Sequence, residues 1–257
     1  MRKKLLKGWR PVLVLILFML SWEFICSWFH VPEWLLPAPS IILQEAITGW
    51  SDYVHHLVST IQLTIVGFLV GSSVGILVAV CLHLIPGMRE AFYPILIISQ
   101  NIPIIILAPL LVIWFGFGIL PKIIVIILVC FFPITIAALD GFRQTSEELK
   151  HYMQMAGANK QQIFLKLEWP YALPSLFSGL KISATYSVMG AVISEWLGSS
   201  EGIGYYMTLA SSSFRTDRVF VAILFIVVLS LLFFLLLTYL EQKVIRWNLT
   251  EEGDHHG

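Results

Sequence analysis

The chain has 257 residues, 58% of them hydrophobic and only 12% charged. An average soluble domain is about 25% charged, and half that charge cannot clothe a soluble surface of this size. With a net charge of zero there is no basis for a nucleic-acid partner, and a mean hydropathy of +0.83 makes membrane the leading class.

Residues 1–10 are basic, carrying Arg2, Lys3, Lys4, Lys7 and Arg10. The apolar run Pro11–Phe29 follows. Basic-then-apolar also begins a signal peptide, but this run is long for one and no small-residue cleavage site follows it, so it reads as a retained first span. Crossing the hydrocarbon core takes roughly 20 apolar residues. Five further segments approach that requirement: Leu57–Leu84, Phe92–Trp114, Pro121–Leu139, Leu173–Leu197 and Val219–Leu240. Pro103 and Pro109 interrupt the third span and Pro133 lies in the fourth; such helices pack against neighbours that re-satisfy the freed carbonyls. Cys26, Cys81 and Cys130 lie inside apolar runs without C-x-x-C spacing and read as packing residues.

The second span carries Gly67, Gly71 and Gly75, a repeated small-xxx-small pattern that lets helix backbones approach closely. Internal packing and a dimer seam both fit it. Orientation follows from Lys and Arg. The first long loop, His30 to His56, has neither and carries Glu33, Glu45 and Asp52, and the opposite-side set is completed by Lys122, Arg215 and Arg218. The loop Asp140 to Tyr171 has Arg143, Lys150, Lys160 and Lys166, and the tail 241–257 has Lys243 and Arg246. The bias puts both termini and the 140–171 loop in the cytoplasm, and an even number of spans agrees. The expected fold is thus an all-α integral membrane domain over 11–240, six transmembrane helices, N-in and C-in, flanked by a basic N-terminus (1–10) and a cytoplasmic tail (241–257).

Within about 145–170 the chain is polar and helix-forming. Thr145-Ser146-Glu147-Glu148 reads as a capping box with Thr145 as N-cap. The helix it starts can run to Ala156, where Gly157 supplies a left-handed turn. Asn159 is a good N-cap for a second helix, expected to run to about Glu168 and stop before Pro170. Ile163, Phe164 and Leu167 share one face of it. The element is a helix–turn–helix along the cytoplasmic surface.

The residues Gly157-Ala158-x-x-x-x-Ile163-Phe164, then Pro170-x-x-Leu173-Pro174 and Gly179-Leu180, resemble the cytoplasmic "EAA" loop of binding-protein-dependent ABC importer permeases. The likeness continues through Trp22-Glu23, Leu36-Pro37-x-Pro39-Ser40, Asn101-Ile102-Pro103, Pro109 to Gly118, Phe131-Phe132-Pro133-Ile134, Ser194-Glu195 and Gly202-x-Gly204, which are similar to the nitrate/sulfonate/taurine branch. That branch also includes permeases for thiamine pyrimidine precursors. The resemblance implies a bacterial inner-membrane, multi-pass importer subunit that is not an enzyme. Its implied partners are a separate ABC ATPase, an extracytoplasmic solute-binding protein, a second permease copy forming a homodimer, and membrane lipid. Gln154, Ala156, Gly157, Ala158, Ile163, Phe164 and Pro170 are its implied ATPase-coupling residues. One departure is that His151-Tyr152-Met153 stands where the family has Glu-Ala-Ala, so contacts made by that glutamate are missing.

A G-x-x-x-x-G-K-[ST] phosphate loop is absent, so ATP is expected to be used by the partner, with no cofactor or metal bound by this chain. Ionisable residues in spans are functional candidates, and Glu23, Asn101, Tyr186, Ser187 and Glu195 are the candidates for the translocation path. His83 and Lys181 fall near span ends, where snorkelling accounts for them. No span carries Arg at mid-depth, which leans toward a neutral or heterocyclic solute such as a pyrimidine vitamin precursor; a sulfonate, taurine or nitrate-like compound is the other solute that the resemblance allows. An ion-coupled secondary transporter is the alternative; it predicts inverted repeats and mid-membrane acids, of which only Glu23 is deep. A membrane enzyme would rest on His55-His56 alone. His255-His256 reads as part of a disordered tail.

Overall fold

The computed structural model describes residues 2–245, with side chains from residue 9 onward. The basic side chains before Trp9, and the tail from Arg246 through His255-His256, lie outside the described residues. The described chain is helical. Helix α1 spans Arg2–Trp28, α2 Pro39–Thr48, α3 Trp50–Leu84 and α4 Met88–Ser99. Then come α5 (Ile104–Phe115), α6 (Ile119–Arg143), α7 (Glu147–Met155) and α8 (Lys160–Ile163). A π-helical segment, Phe164–Glu168, leads into α9 (Trp169–Glu195), followed by α10 (Ile203–Ser212) and α11 (Thr216–Val244).

Among the described residues, five helices are long and apolar enough to span a bilayer: α1 from Trp9, α3, α6, the run Lys160–Glu195 that includes α9, and α11. The third expected span is not one straight helix. Helices α4 and α5 meet at 96°, with the break at Asn101-Ile102-Pro103. Pro103 has no N–H to donate and disfavours helical geometry at the residue before it, so the turn opens there. Counted as one broken span, the pair brings the total to six.

Helices α3, α6 and α9 form the core. Small residues set how close they come. A β-carbon on Gly67 would lie 2.6 Å from Ile126, one on Gly71 2.9 Å from Cys130, and one on Gly75 3.2 Å from Ile134. The four-residue step on α3 thus meets a four-residue step on α6, and the glycine stripe is an internal seam. Thr135 Oγ1 donates to the Gly75 carbonyl at 3.1 Å and Ser183 Oγ donates to the Cys130 carbonyl at 3.0 Å. Each hydroxyl is buried and satisfied, as a dry interior demands. By contrast α1 and α11 leave most of their Leu, Ile, Val and Phe side chains exposed, the composition of surfaces that face lipid. Cys26 and Cys130 are buried and Cys81 is exposed, all as free thiols.

At one end of the bundle, α2 and α10 pack across the starts of α3 and α11. Glu45 of α2 pairs with Arg215 and Arg218 at 3.2 and 2.8 Å, and Arg218 pairs with Asp52 of α3 at 3.1 Å. The residues assigned from sequence to one side of the membrane therefore gather at one end. The other end holds α7, α8 and the π segment.

Candidate functional site

Helix α7 starts at Glu147 after Ser146, with no side-chain cap. The expected Thr145 capping box does not form: Thr145 is buried and its hydroxyl has no partner. A side chain turned inward cannot reach the first-turn N–H groups, which is why the sequence pattern misleads here. Gly157 ends the α7 turn at φ +83°, with open space where a β-carbon would stand. Asn159 then caps α8 with a complete capping box, Asn159 Oδ1 accepting from Gln162 N–H at 2.8 Å and Gln162 Oε1 from Asn159 N–H at 2.9 Å.

The second helix does not stop before Pro170. It widens into the π segment, where Trp169 N–H donates to the Phe164 carbonyl, and continues as α9 with Pro170 in its first turn. The wide turn accommodates the proline ring and its missing N–H, both of which would disrupt an ordinary helical interior. Five residues of α-helix would set Phe164 and Trp169 about 140° apart; the π turn brings them edge to face, with ring centroids 6.0 Å apart. Both rings lie on Phe142 of α6, at 5.4 and 6.1 Å.

Among the coupling candidates, Ile163 and Phe164 are therefore turned inward and buried, and they anchor the segment to the bundle. Pro170 is half-buried beside them. Gln154, Ala156 and Gly157 are exposed, and Ala158 is half-buried. The apolar side chains presented outward are others: Tyr152 and Met155 are 69% and 82% exposed, and Leu149 and Leu165 are also exposed. Tyr152 belongs to the triplet standing in place of Glu-Ala-Ala. Sequence reasoning found the amphipathic period but not which face meets the bundle.

Charge pins this end together. Glu168, 8% exposed, places Oε2 2.8 Å from His83 Nε2 of α3 and Oε1 3.1 Å from Lys150 Nζ of α7. Lys150 also pairs with Glu147 at 3.0 Å. Burial by itself lowers the Lys150 ammonium, but its hydrogen bonds to Glu147 and Glu168 and their charges outweigh it and hold it above the usual lysine range. His83 stacks on Phe142, with centroids 4.7 Å apart. Lys181, the other ionisable residue near a span end, pairs through Nζ with Glu241 of α11 at 2.8 Å.

The path candidates do not converge on one cavity. Glu23 of α1 accepts from Ser40 N–H at 3.0 Å and Ser40 Oγ at 2.7 Å, and so caps the start of α2. Asn101 sits exposed in the α4–α5 break, its Nδ2 donating to the Ile97 carbonyl at 2.7 Å. Ser187 is fully buried and bonded to the Ala184 carbonyl. Tyr186 lies on an exposed stripe of α9 with Ser178, Ile182, Thr185 and Met189.

Glu195, 1% exposed, closes the other end of α9. It accepts from Thr60 Oγ1 of α3 and from Gly204 N–H, each at 2.8 Å. Thr60 Oγ1 in turn accepts from Ile203 N–H at 2.8 Å, and His56 Nδ1 accepts from Gly202 N–H at 3.2 Å. Gly202, at φ +111°, is wrapped so closely that any β-carbon would fall on the Glu195 carboxylate. The Gly202-x-Gly204 pattern is thus the lid of a carboxylate cradle joining α3, α9 and α10.

Residues 71–246 match the family described as "Binding-protein-dependent transport system inner membrane component". Over 246 residues the chain is 33% identical to the formylaminopyrimidine transport permease protein ThiX of Halalkalibacterium halodurans, covering 95% of this chain and 98% of that protein. It is 29% identical over 235 residues to the riboflavin transport system permease protein RibX of Chloroflexus aurantiacus, covering 91% and 88%. A putative aliphatic sulfonates transport permease protein, SsuC of Bacillus subtilis, is 28% identical over 250 residues, covering 96% and 90%.

Proposed function

The chain belongs to the family of binding-protein-dependent transport system inner-membrane components, and from that premise we propose that it forms the translocation path for a neutral heterocycle of the formylaminopyrimidine kind. It is a multi-pass cell-membrane permease subunit of an ABC importer, of the nitrate/sulfonate/taurine branch, and not an enzyme. Membership in this family sets aside the ion-coupled secondary transporter.

The assembly we propose has two copies of this chain, two ATPase subunits and an extracytoplasmic binding protein that delivers the solute. Both termini and the α7–α8 end face the cytoplasm. There α7 lies in a groove of the ATPase, held by Tyr152 and Met155 with Gln154 and Ala156 beside them, while Ile163, Phe164 and Pro170 hold the segment to the spans. Exposed apolar side chains on a polar helix are the usual anchors of a protein interface. ATP-driven closure of the two ATPases draws the two α7 helices together. The anchored π segment passes that displacement to α9, whose stripe with Tyr186 and Thr185 lines the path.

The solute reading is carried by charge. Among the described residues, no Arg lies at mid-depth in a span, and Lys181 is neutralised by Glu241. An anion crossing low-dielectric surroundings needs a compensating cation, and an uncharged pyrimidine does not. Together with the similarity to a formylaminopyrimidine permease, this favours the heterocycle. The test is uptake into vesicles bearing the complex recovered from native membranes. ATP-dependent entry of labelled formylaminopyrimidine, with labelled taurine excluded, is expected. Entry of taurine alone would overturn the solute reading, and recovery of the chain without an ATPase would overturn the assembly.

A further inference from the structure

The bridge made by Glu168 is the feature the importer reading does not yet use. We infer that Glu168 is a positioning residue that couples α7 to α3, so that one displacement of α7 moves both α9 and α3. This rests on the reading of α7 as the ATPase-facing helix.

Each carboxylate oxygen has its own partner on a different element: Oε1 takes Lys150 of α7 and Oε2 takes His83 of α3. The side chains of His83, Lys150 and Glu168 are 18%, 16% and 11% exposed, so the bridge is shielded from water and from screening by salt. Charge-assisted bonds of this kind hold direction as well as distance. Glu168 is also the last residue of the π segment, and such segments, rare in general, concentrate at functional positions. The π turn brings Phe164 and Trp169 against Phe142, and His83 stacks on the same ring. The histidine that holds the carboxylate is therefore itself packed on an aromatic cluster drawn from α6, the π segment and α9. Helix α7 has no buried residue of its own. Besides the chain itself, which joins α7 to α6 through residues 144–146 and to α8 through Gly157, the Lys150–Glu168 pair is its charged tie to the bundle, and through His83 that tie reaches α3.

The experiment follows the two ends of the link separately and requires no transported solute. Spin labels are placed at Glu148→Cys, an exposed position of α7 outside the docking residues, and at Leu84→Cys, the last residue of α3, each paired with a reference at Glu33→Cys in a Cys81→Ala background. Distances are measured in the complex with its ATPase before and after trapping with ATP and vanadate. In the parent chain both labels are expected to shift. In Glu168→Leu and in His83→Leu the α7 shift is expected to remain and the Leu84 shift to be lost. His83→Lys, which gives Glu168 a hydrogen-bond donor on α3 again, is expected to restore the Leu84 shift, an outcome that lost packing alone does not give. If Glu168→Leu does not assemble, the two His83 variants decide. An undiminished Leu84 shift in the variants overturns the coupling role of Glu168 and leaves the importer reading standing. An α7 label that stays still in the parent complex overturns the ATPase-facing reading of α7 and this inference with it.

Discussion

Single residues at the two ends of α9 carry most of the specific chemistry, and they fail in different ways when changed. Gly157 has space around it, so Gly157→Ala strains only the backbone, by about 1 kcal/mol. Gly157→Asp is expected to leave membrane insertion intact and abolish uptake, measured by labelled formylaminopyrimidine in vesicles against chain abundance by immunoblot. Wild-type uptake by a normally assembled Gly157→Asp complex would remove the turn from the mechanism. At the other end, Thr60→Val leaves the Glu195 carboxylate and the Ile203 N–H each short of a buried partner. A loss of about 1–3 kcal/mol is expected, read as a lower melting temperature of the detergent-purified chain; an unchanged melting temperature would show that water replaces the hydroxyl. The sequence marked Asn159 as a cap and Glu195 beside a glycine-rich stretch, and both occupy defined positions. It did not reveal Glu168 as a bridge. Its partners are 85 and 18 residues away, His83 and Lys150, and no local pattern joins residues that far apart. A lone histidine at a span end and an acid just before Trp169-Pro170 were the only signals available.

Among whole elements, the spans were legible because each is a long apolar run, and the break between α4 and α5 was not. Pro103 advertised an interruption, but the 96° bend depends on what the two halves pack against. The amphipathic period of 160–168 was visible too. Its apolar face met the bundle instead of a partner because Phe142 and His83 were waiting there, which periodicity alone does not encode. The glycine stripe left two readings, and the register of Gly67, Gly71 and Gly75 on Ile126, Cys130 and Ile134 selects internal packing. Gly71→Ala puts a methyl 2.9 Å from Cys130 Cβ and 3.1 Å from the Ile127 Cα. Because one of those atoms is backbone, the helices must separate, at about 1–3 kcal/mol. Thermal unfolding in detergent should show Gly71→Ala less stable than the parent, and equal stability would mean the seam has slack.

For the molecule as a whole, the proposed topology makes a direct prediction. Lys166→Cys and Trp34→Cys, both at exposed positions and both in a Cys81→Ala background, should react with a membrane-impermeant maleimide from opposite sides. Intact cells should label Trp34→Cys alone, and inverted vesicles should label Lys166→Cys alone; the reverse pattern would invert the chain. Such an arrangement sets α3 and α9 as two shafts running from the α7 end to the Glu195 cradle. Their seam with α6 sets glycines directly on the short side chains of Ile126, Cys130, Ile134 and Val129, and Thr135 and Ser183 bond across it to main-chain carbonyls. Matter packed in that way has low compressibility. Long flexible side chains at a helix interface act as springs and absorb part of any stroke, whereas this interface has few of them to compress. In the proposed assembly a push at the α7 end is therefore carried along α9 and α6 toward the Glu195 end with little loss of amplitude.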